Sequence, residues 1–517
     1  MEVFHYGIDR LTSSTALRIA KGELKAALSK ESIDKVNQSK SYVDTIVAAD
    51  TTVYGINTGF GPLCNTKISA ADTKELQYNI LKSHSVGVGN PIDQEIAKLM
   101  LILKVHSLAR GFSGIQLSTL ERIIWHIDHD IIPLVPEKGS VGASGDLAPL
   151  AHLFLPLIGM GEVLVNGEKW STEDYFNQHN IAPITLAAKE GLALINGTQF
   201  IAAHAIEVVD KLHNCLDHAD IIGAMMIEAL MGSVKPFHPE LHRIRPFEGN
   251  QWVAQRVRKL LEGSEILNAH LDCDRVQDPY SLRCIPQVHG SSRNAWAHLK
   301  VLVEIEINAV TDNPIILSAE ETISGGNFHG QPLAMPLDYA TLAASELGNI
   351  SDRRIYLSLE GKVEGLPVLL MKNTGINSGF MLPQYTSAAL VSENKSLCFP
   401  ASADSVPTSL GQEDHVSMGS ISGRKALQVI GNLEHILAIE LLCAAQAFDF
   451  RRPLKSSETL EACHLHIRKM IDHAHADRIF ADDIEKAHQI ISARKLPTLV
   501  NMKEDFDANL SEKFNDY

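Results

Sequence analysis

Cysteines are few, seven in 517 residues, and none forms a C-x-x-C pair. Scattered at 64, 215, 273, 284, 398, 443 and 463, and odd in number, they argue against a disulfide frame and fit reduced thiols in a cytoplasmic protein. Basic runs are absent and the net charge is −16, which speaks against nucleic acid or an anionic membrane as a partner. The N-terminus, MEVFHYGIDRL, has no basic start followed by an apolar core, so no signal peptide is expected. No apolar run approaches the roughly 18 residues of a spanning helix, the best stretches being broken by Glu228 and Glu440. What is present suits a soluble globular protein. Hydrophobic residues make up 45% and charged ones 21%, enough at this length for one large core or a few domains.

Val3 to Ile8 reads as a short strand. Thr12-Ser13-Ser14 is placed to cap a helix reaching about 29, and a second helical pattern fills the 30s and 40s. TTVYGINTGFGP (51–62) breaks the period with glycines and a proline and is a loop. Helical patterns return over 72–82, 91–109 and 116–129. In EVLVNGEKW (162–170), Asn166-Gly167 between two β-compatible runs is the strongest hairpin signal in the chain. From about 190 onward, long apolar-periodic segments dominate, at about 198–231, 251–263, 290–309, 337–360, 383–397, 422–449 and 457–475. They predict a mainly α fold, a long antiparallel helix bundle over 201–517 behind a smaller mixed α/β N-terminal domain over 1–200. The acidic tail after about 500 is expected to fray.

The stretch that matters most is GSVGASGDLAPL (139–150). A serine between a tiny residue and a glycine, with Gly142 in front, permits a bend tight enough for the Gly145 amide nitrogen to reach the Ala143 carbonyl carbon. Closure of that five-membered ring and loss of two waters leave Ser144 as an exocyclic methylene, an electrophile that no ordinary side chain supplies well. The plainer reading is a flexible Gly-rich loop before a helix, with Asp146 as its cap and Pro149 in its first turn. A hydrolase nucleophile elbow is rejected, because G-x-S-x-G needs glycine where Asp146 stands.

Gly142-Ala143-Ser144-Gly145-Asp146-Leu147 with Pro149-Leu150 resembles the cofactor-forming loop of the aromatic amino acid ammonia-lyases, in which the triad becomes 4-methylidene-imidazole-5-one (MIO). The resemblance extends over nearly the whole chain. It implies an MIO group formed from Ala143, Ser144 and Gly145, with no metal or diffusible cofactor, and a carbon–nitrogen lyase reaction. Elimination of ammonia needs an electrophile for the amine and a base for a weakly acidic β-proton. Tyr54, in VYGINTGFG, matches the family's catalytic tyrosine on a loop that closes over substrate; a phenol serves as base only when local charge depresses its pKa. By itself a loop tyrosine is usually packing.

RVQDPYSLRC (275–284) supplies Gln277, Tyr280 and Arg283 and resembles the family's substrate-binding segment. An arginine fork donates to a carboxylate in bidentate fashion, though a turn with a surface arginine fits the same string. Tyr280 matches a second phenol beside the electrophile. Asn196, in ALINGTQ, reads alone as an Asn-Gly turn, and Phe328, in GGNFHG, as a core aromatic; in the family both positions belong to the active site. TDNP (311–314) and 377–395 also match, and are assigned to structure.

His84, in LQYNILKSHSVGVG, and Glu413, in PTSLGQEDHVSMG, bear on the substrate ring. An imidazole carries a donor and an acceptor at fixed positions, so its site needs polar partners at the ring edge. Opposite a phenyl ring a buried carboxylate stays unpaired, a penalty of roughly 1–3 kcal/mol or more, and sites of this kind reject the apolar analogue by about 10⁴-fold or more. Gln412-Glu413-Asp414-His415 is similar to the version carried by the histidine-specific members, whereas the phenylalanine and tyrosine enzymes usually have Gln at 413. The resemblance thus implies conversion of L-histidine to trans-urocanate and ammonia, the first step of histidine degradation, in a homotetramer whose sites combine loops of three subunits. A tyrosine ammonia-lyase or an aromatic amino acid aminomutase is the alternative. Two departures stand beside the site, Gly411 in place of a frequent Asn and His289 in place of a frequent Met. His126, Asp128, His129 and Asp130, like His464, His466, His473 and His475, lack closed zinc spacing and are read as helix ends or solvated faces, so no metal is expected.

Overall fold

In the computed structural model, which describes residues 3–49, 52–59, 61, 68–270, 276–500 and 508–514, the chain is mainly helical with few strands, as expected. Thr51, Phe60 and Pro62 of the 51–62 loop, Cys64, Cys273, Arg275 and most of the tail lie outside the described residues. Two compact units are present. One comprises Met1–Glu207, Leu299–Asp338 and Pro400–Arg424, the other Val208–His298, Tyr339–Phe399 and Lys425–Tyr517. The helices Gln199–Ala229, Ile285–Glu306, Gln331–Leu359 and Gly419–Asp449 each carry the chain across a division, and the return at Pro400 follows the end of the Met381–Leu397 helix.

In the first unit the strand is shorter than expected, Val3–His5, and pairs in parallel with Lys25–Ala27. Thr12 accepts from the Thr15 amide and starts a helix at Ser13, but the helix ends at Ala20 rather than 29. Gly22, at φ 73°, turns the chain there into the second strand. Ser29 caps the Lys30–Ala48 helix, whose Val43 and Ile46 pack with Ile56 and Ile316. The Gln94–Leu108 helix is buried from Ile96 to Leu108 with only Lys98 left out, so it lacks an amphipathic pattern. Glu162–Val165 and Glu168–Ser171 pair antiparallel across Asn166 (φ 50°) and Gly167 (φ 81°), the two positive φ values that a tight hairpin demands. Ile132–Pro133 adds a third strand.

The second unit is helical among the described residues. Its core holds charges as well as apolar side chains. Arg354 pairs with Glu440, both fully buried. Arg293 reaches Asp217 at 2.8 Å and Asp220 at 2.6 Å, and His289 reaches Asp220 at 2.8 Å. Burial alone would raise the Asp220 carboxyl, but Arg293 and His289 outweigh it and hold it down. His289 is therefore part of a buried ion network.

Two further expectations are corrected. The Gly419–Asp449 helix is, by length and composition, apolar enough to cross a membrane, although 67% of its most apolar window is buried and Glu440 lies on it paired to arginine. His126, Asp128, His129 and Asp130 stand at the end of the Leu117–Asp128 helix, as expected, His126 buried with a bond to the Ile131 carbonyl at 3.0 Å and the other three exposed. His464 departs from the expectation, being buried within the Glu458–Met470 helix, where Asp449 is shared by His464, His473 and Arg468, while His475 is exposed. Among the described residues Cys215, Cys284, Cys398, Cys443 and Cys463 form no disulfide.

Candidate active site

The 139–150 loop folds back on itself through left-handed backbone. Gly142 has φ 78°, Ser144 φ 50° and Gly145 φ 81°, and a non-glycine residue in that region is uncommon. A β-carbon at Gly142 would overlap the Ser417 hydroxyl, and one at Gly145 would overlap the Gly197 backbone. Glycine is thus required at both ends for space as well as conformation. The Asp146 amide donates to the Gly197 carbonyl at 2.9 Å, and the Met418 amide to the Val141 carbonyl at 3.0 Å. Ala143 is buried against Val416 and Met418. The triad is held in a bend between two other segments, the arrangement that ring closure between residues 143 and 145 requires, so these residues fit the MIO group.

Asp146 does not cap the helix that follows it. That helix, Ala148–Phe154, has Leu147 at its N-cap with no side-chain bond, and Pro149 in its first turn. Asp146 instead accepts from the Phe200 amide at 2.7 Å and the Ile201 amide at 3.4 Å, capping the Gln199–Ala229 helix. Burial pushes its carboxyl up to about 8 despite those donors.

Ser144 opens into a cavity of about 420 Å³ lined also by Tyr54, His84 and Glu413, with Leu76, Ile80, Leu147, Leu192 and Ile195 as apolar walls. An adjoining cavity of about 450 Å³ shares Tyr54, Ser144 and Glu413 and adds Asn313, Phe328 and Gln412. Ser144 Oγ donates to Glu413 Oε1 at 2.9 Å. The Tyr54 hydroxyl accepts from the Gly61 amide at 3.4 Å. His84 Nδ1 lies 3.0 Å from Ser83 Oγ; burial lowers its imidazole pKa, partly offset by the Ile80 carbonyl and the Glu413 charge. Asn196 is buried, its Nδ2 donating to the Asn313 carbonyl at 2.8 Å. Within TDNP, Asn313 lines the second cavity, and Asp312 accepts from buried Lys189 at 2.5 Å.

Gln277, Tyr280 and Arg283 belong to the second unit and line neither cavity. They form a cluster of their own. Arg283 donates to the Asp278 carbonyl at 2.9 Å and to Gln277 Oε1 at 3.0 Å, and its guanidinium lies 4.5 Å from the Tyr280 ring centroid. Tyr280 is 70% exposed.

Two features escaped the sequence reading. Lys104 is buried and donates to the Asn196 carbonyl. Burial lowers its amine to about 7, with Asp312 and Asp146 opposing and Lys189 reinforcing. A lone lysine inside the apolar run LMLILKV was the available signal. Thr408 and Ser409 both donate to Glu413, and nothing in their residue types announced it.

The aromatic amino acid lyase family matches this chain over residues 11–469. A histidine ammonia-lyase of Myxococcus xanthus (strain DK1622) is 44% identical over 489 residues, 94% of this chain and 96% of that protein. The crystal structure of histidine ammonia-lyase from Trypanosoma cruzi is similar with a TM-score of 0.90 at 40% identity, covering 99% of this chain and 97% of that one. The tyrosine aminomutase of Streptomyces globisporus is similar with a TM-score of 0.92 at 34% identity, covering 98% and 100%. A family match spanning most of the sequence, around a cavity that gathers Tyr54, His84, Ser144 and Glu413, identifies this chain as a member of the aromatic amino acid lyase family.

Proposed function

We propose that this protein is a histidine ammonia-lyase, eliminating ammonia from L-histidine to give trans-urocanate as the first step of histidine degradation. The observation that carries the reading is Glu413 in the same cavity as Ser144 and His84, a carboxylate set to accept from a ring N–H. Relatives named for the same reaction, at 44% and 40% identity, support it.

Ala143, Ser144 and Gly145 would hold MIO, which when formed supplies an electrophile for the amine. Tyr54 takes the β-proton onto its phenolate oxygen, and Glu413 and His84 orient the imidazole between the apolar walls. Arg283, steadied by Gln277 and stacked on Tyr280, holds the substrate carboxylate, with Asn196 hydrogen-bonding near the MIO group and that carboxylate and Phe328 serving as an aromatic wall. The 277–283 segment serves the cavity of another subunit in a cytoplasmic homotetramer, a reading supported by the exposure of Tyr280 and its absence from either cavity wall. No metal or diffusible cofactor is required.

Ultraviolet absorbance with L-histidine, L-tyrosine and L-phenylalanine in parallel tests the proposal, since each elimination product is a conjugated acrylate. Urocanate forming fastest supports it. Coumarate forming fastest, or a β-amino acid product, would favour the tyrosine lyase or aminomutase reading that the Streptomyces neighbour keeps open.

A further inference from the structure

Glu413 has two carboxylate oxygens, and the donors on them have different fates. Oε1 accepts from Ser144 Oγ at 2.9 Å. Oε2 accepts from Thr408 Oγ1 at 3.0 Å and from Ser409 Oγ at 2.8 Å. Ring closure and dehydration over residues 143–145 consume the Ser144 hydroxyl. The other two hydroxyls survive it.

The backbone makes this second set of contacts possible. The Thr408 amide donates to the Glu413 carbonyl at 2.9 Å and the Glu413 amide returns a bond to the Thr408 carbonyl at 3.4 Å, an isolated antiparallel bridge. Between them Ser409 (φ 50°), Leu410 (φ 56°) and Gly411 (φ 86°) run left-handed in succession. Two non-glycine residues in that region are costly unless their surroundings hold them there. The turn leaves Leu410 94% exposed, so apolar packing does not hold it. What it achieves is to bring the hydroxyls of residues 408 and 409 onto the side chain of residue 413.

We propose that Thr408 and Ser409 are positioning residues for substrate recognition: they hold Oε2 of Glu413, so that Oε1, released when Ser144 loses its hydroxyl, is the oxygen left to accept the ring N–H of the substrate. The inference rests on the proposed role of Glu413 in reading the imidazole. A carboxylate pinned at one oxygen has its orientation set before the substrate arrives, and less side-chain freedom is lost on binding. It also follows that in the unprocessed chain the substrate would have to share Oε1 with the Ser144 hydroxyl.

The test is the full-length Thr408→Val/Ser409→Ala double variant beside wild type, with ring formation followed by the mass of the peptide carrying residues 143–145. The ring is expected to form completely. KM for L-histidine is expected to rise about tenfold with kcat within about twofold of wild type, the signature of lost binding without lost chemistry. The Thr408→Ser variant keeps both hydroxyls and leaves the left-handed Ser409 in place, and is expected to hold KM at the wild-type value. An unchanged KM in the apolar pair, or a Thr408→Ser variant that fails equally, overturns the clamp alone. A wild-type protein that makes no urocanate overturns the reading of Glu413, and the clamp falls with it.

Discussion

A β-carbon on Gly145 would overlap the carbonyl of Gly197, whose oxygen also accepts the Asp146 amide at 2.9 Å. The triad is therefore pressed against a turn 52 positions along the chain, and small residues on both sides are what allow it. Gly145→Ala adds a side chain where there is no room and at a φ of 81° that alanine disfavours. This variant is expected to fold around a displaced loop and to leave the triad unprocessed. Mass spectrometry of the peptide carrying residues 143–145 checks this, the expected species lacking the loss of two waters.

Glu413→Gln keeps the shape of the side chain and removes its charge. The amide is expected to lower kcat/KM for L-histidine by about 100-fold, as befits a charge-assisted hydrogen bond to the substrate, with ring formation intact. Parallel rates on L-histidine and L-phenylalanine provide the check, since the phenylalanine rate is expected to hold or rise.

Arg283→Lys retains a cation but loses the fork that reaches Gln277 and lies over Tyr280. A KM for L-histidine raised by roughly tenfold or more is expected, and a lysine variant with wild-type steady-state constants would remove Arg283 from the proposed carboxylate clamp.

Burial lowers the Lys104 amine from 10.5 to about 7 in the folded chain. Because the folded value is the lower one, the unfolded chain binds more protons between those limits, and stability falls as pH falls through them. Relative to Lys104→Met, wild type is expected to lose stability from about pH 10.5 down to about pH 7 and to stay level below. Denaturation midpoints of the two proteins across that range give the difference directly.

Arg354 and Glu440 are both fully buried. Removing one partner strands the other charge, so Arg354→Met is expected to cost about 3–5 kcal/mol. Arg354→Met combined with Glu440→Leu is expected to recover most of that loss, as chemical denaturation of both variants would read.

Much of this was legible in the sequence because the signals were local. The Asn166-Gly167 hairpin, the long helices and the glycines around Ser144 all express conformational preferences of neighbouring residues. His84, Ser144, Tyr54 and Glu413 were readable from motif resemblance, and one cavity gathers them. The failures were long-range. Asp146 looked like the cap of the nearest helix and caps one beginning at Gln199, because a side chain bonds whichever amides lie close in space. The first helix stopped at Ala20 because a strand pairing claimed Lys25–Ala27. The charge on Glu440 marked a buried ion pair and not an interruption of an apolar run.

The hydrogen bond from Ser144 to Glu413 joins residues 269 positions apart, and the Ser420 hydroxyl anchors the Ser140 carbonyl at 2.8 Å. The loop is thus shaped by segments synthesised long after it. A nascent chain that has emerged only as far as the loop carries an ordinary, unreactive serine. On the proposed reading, the electrophile would form only once the walls that shield it exist, and the fraction of molecules bearing it would count those that finished folding.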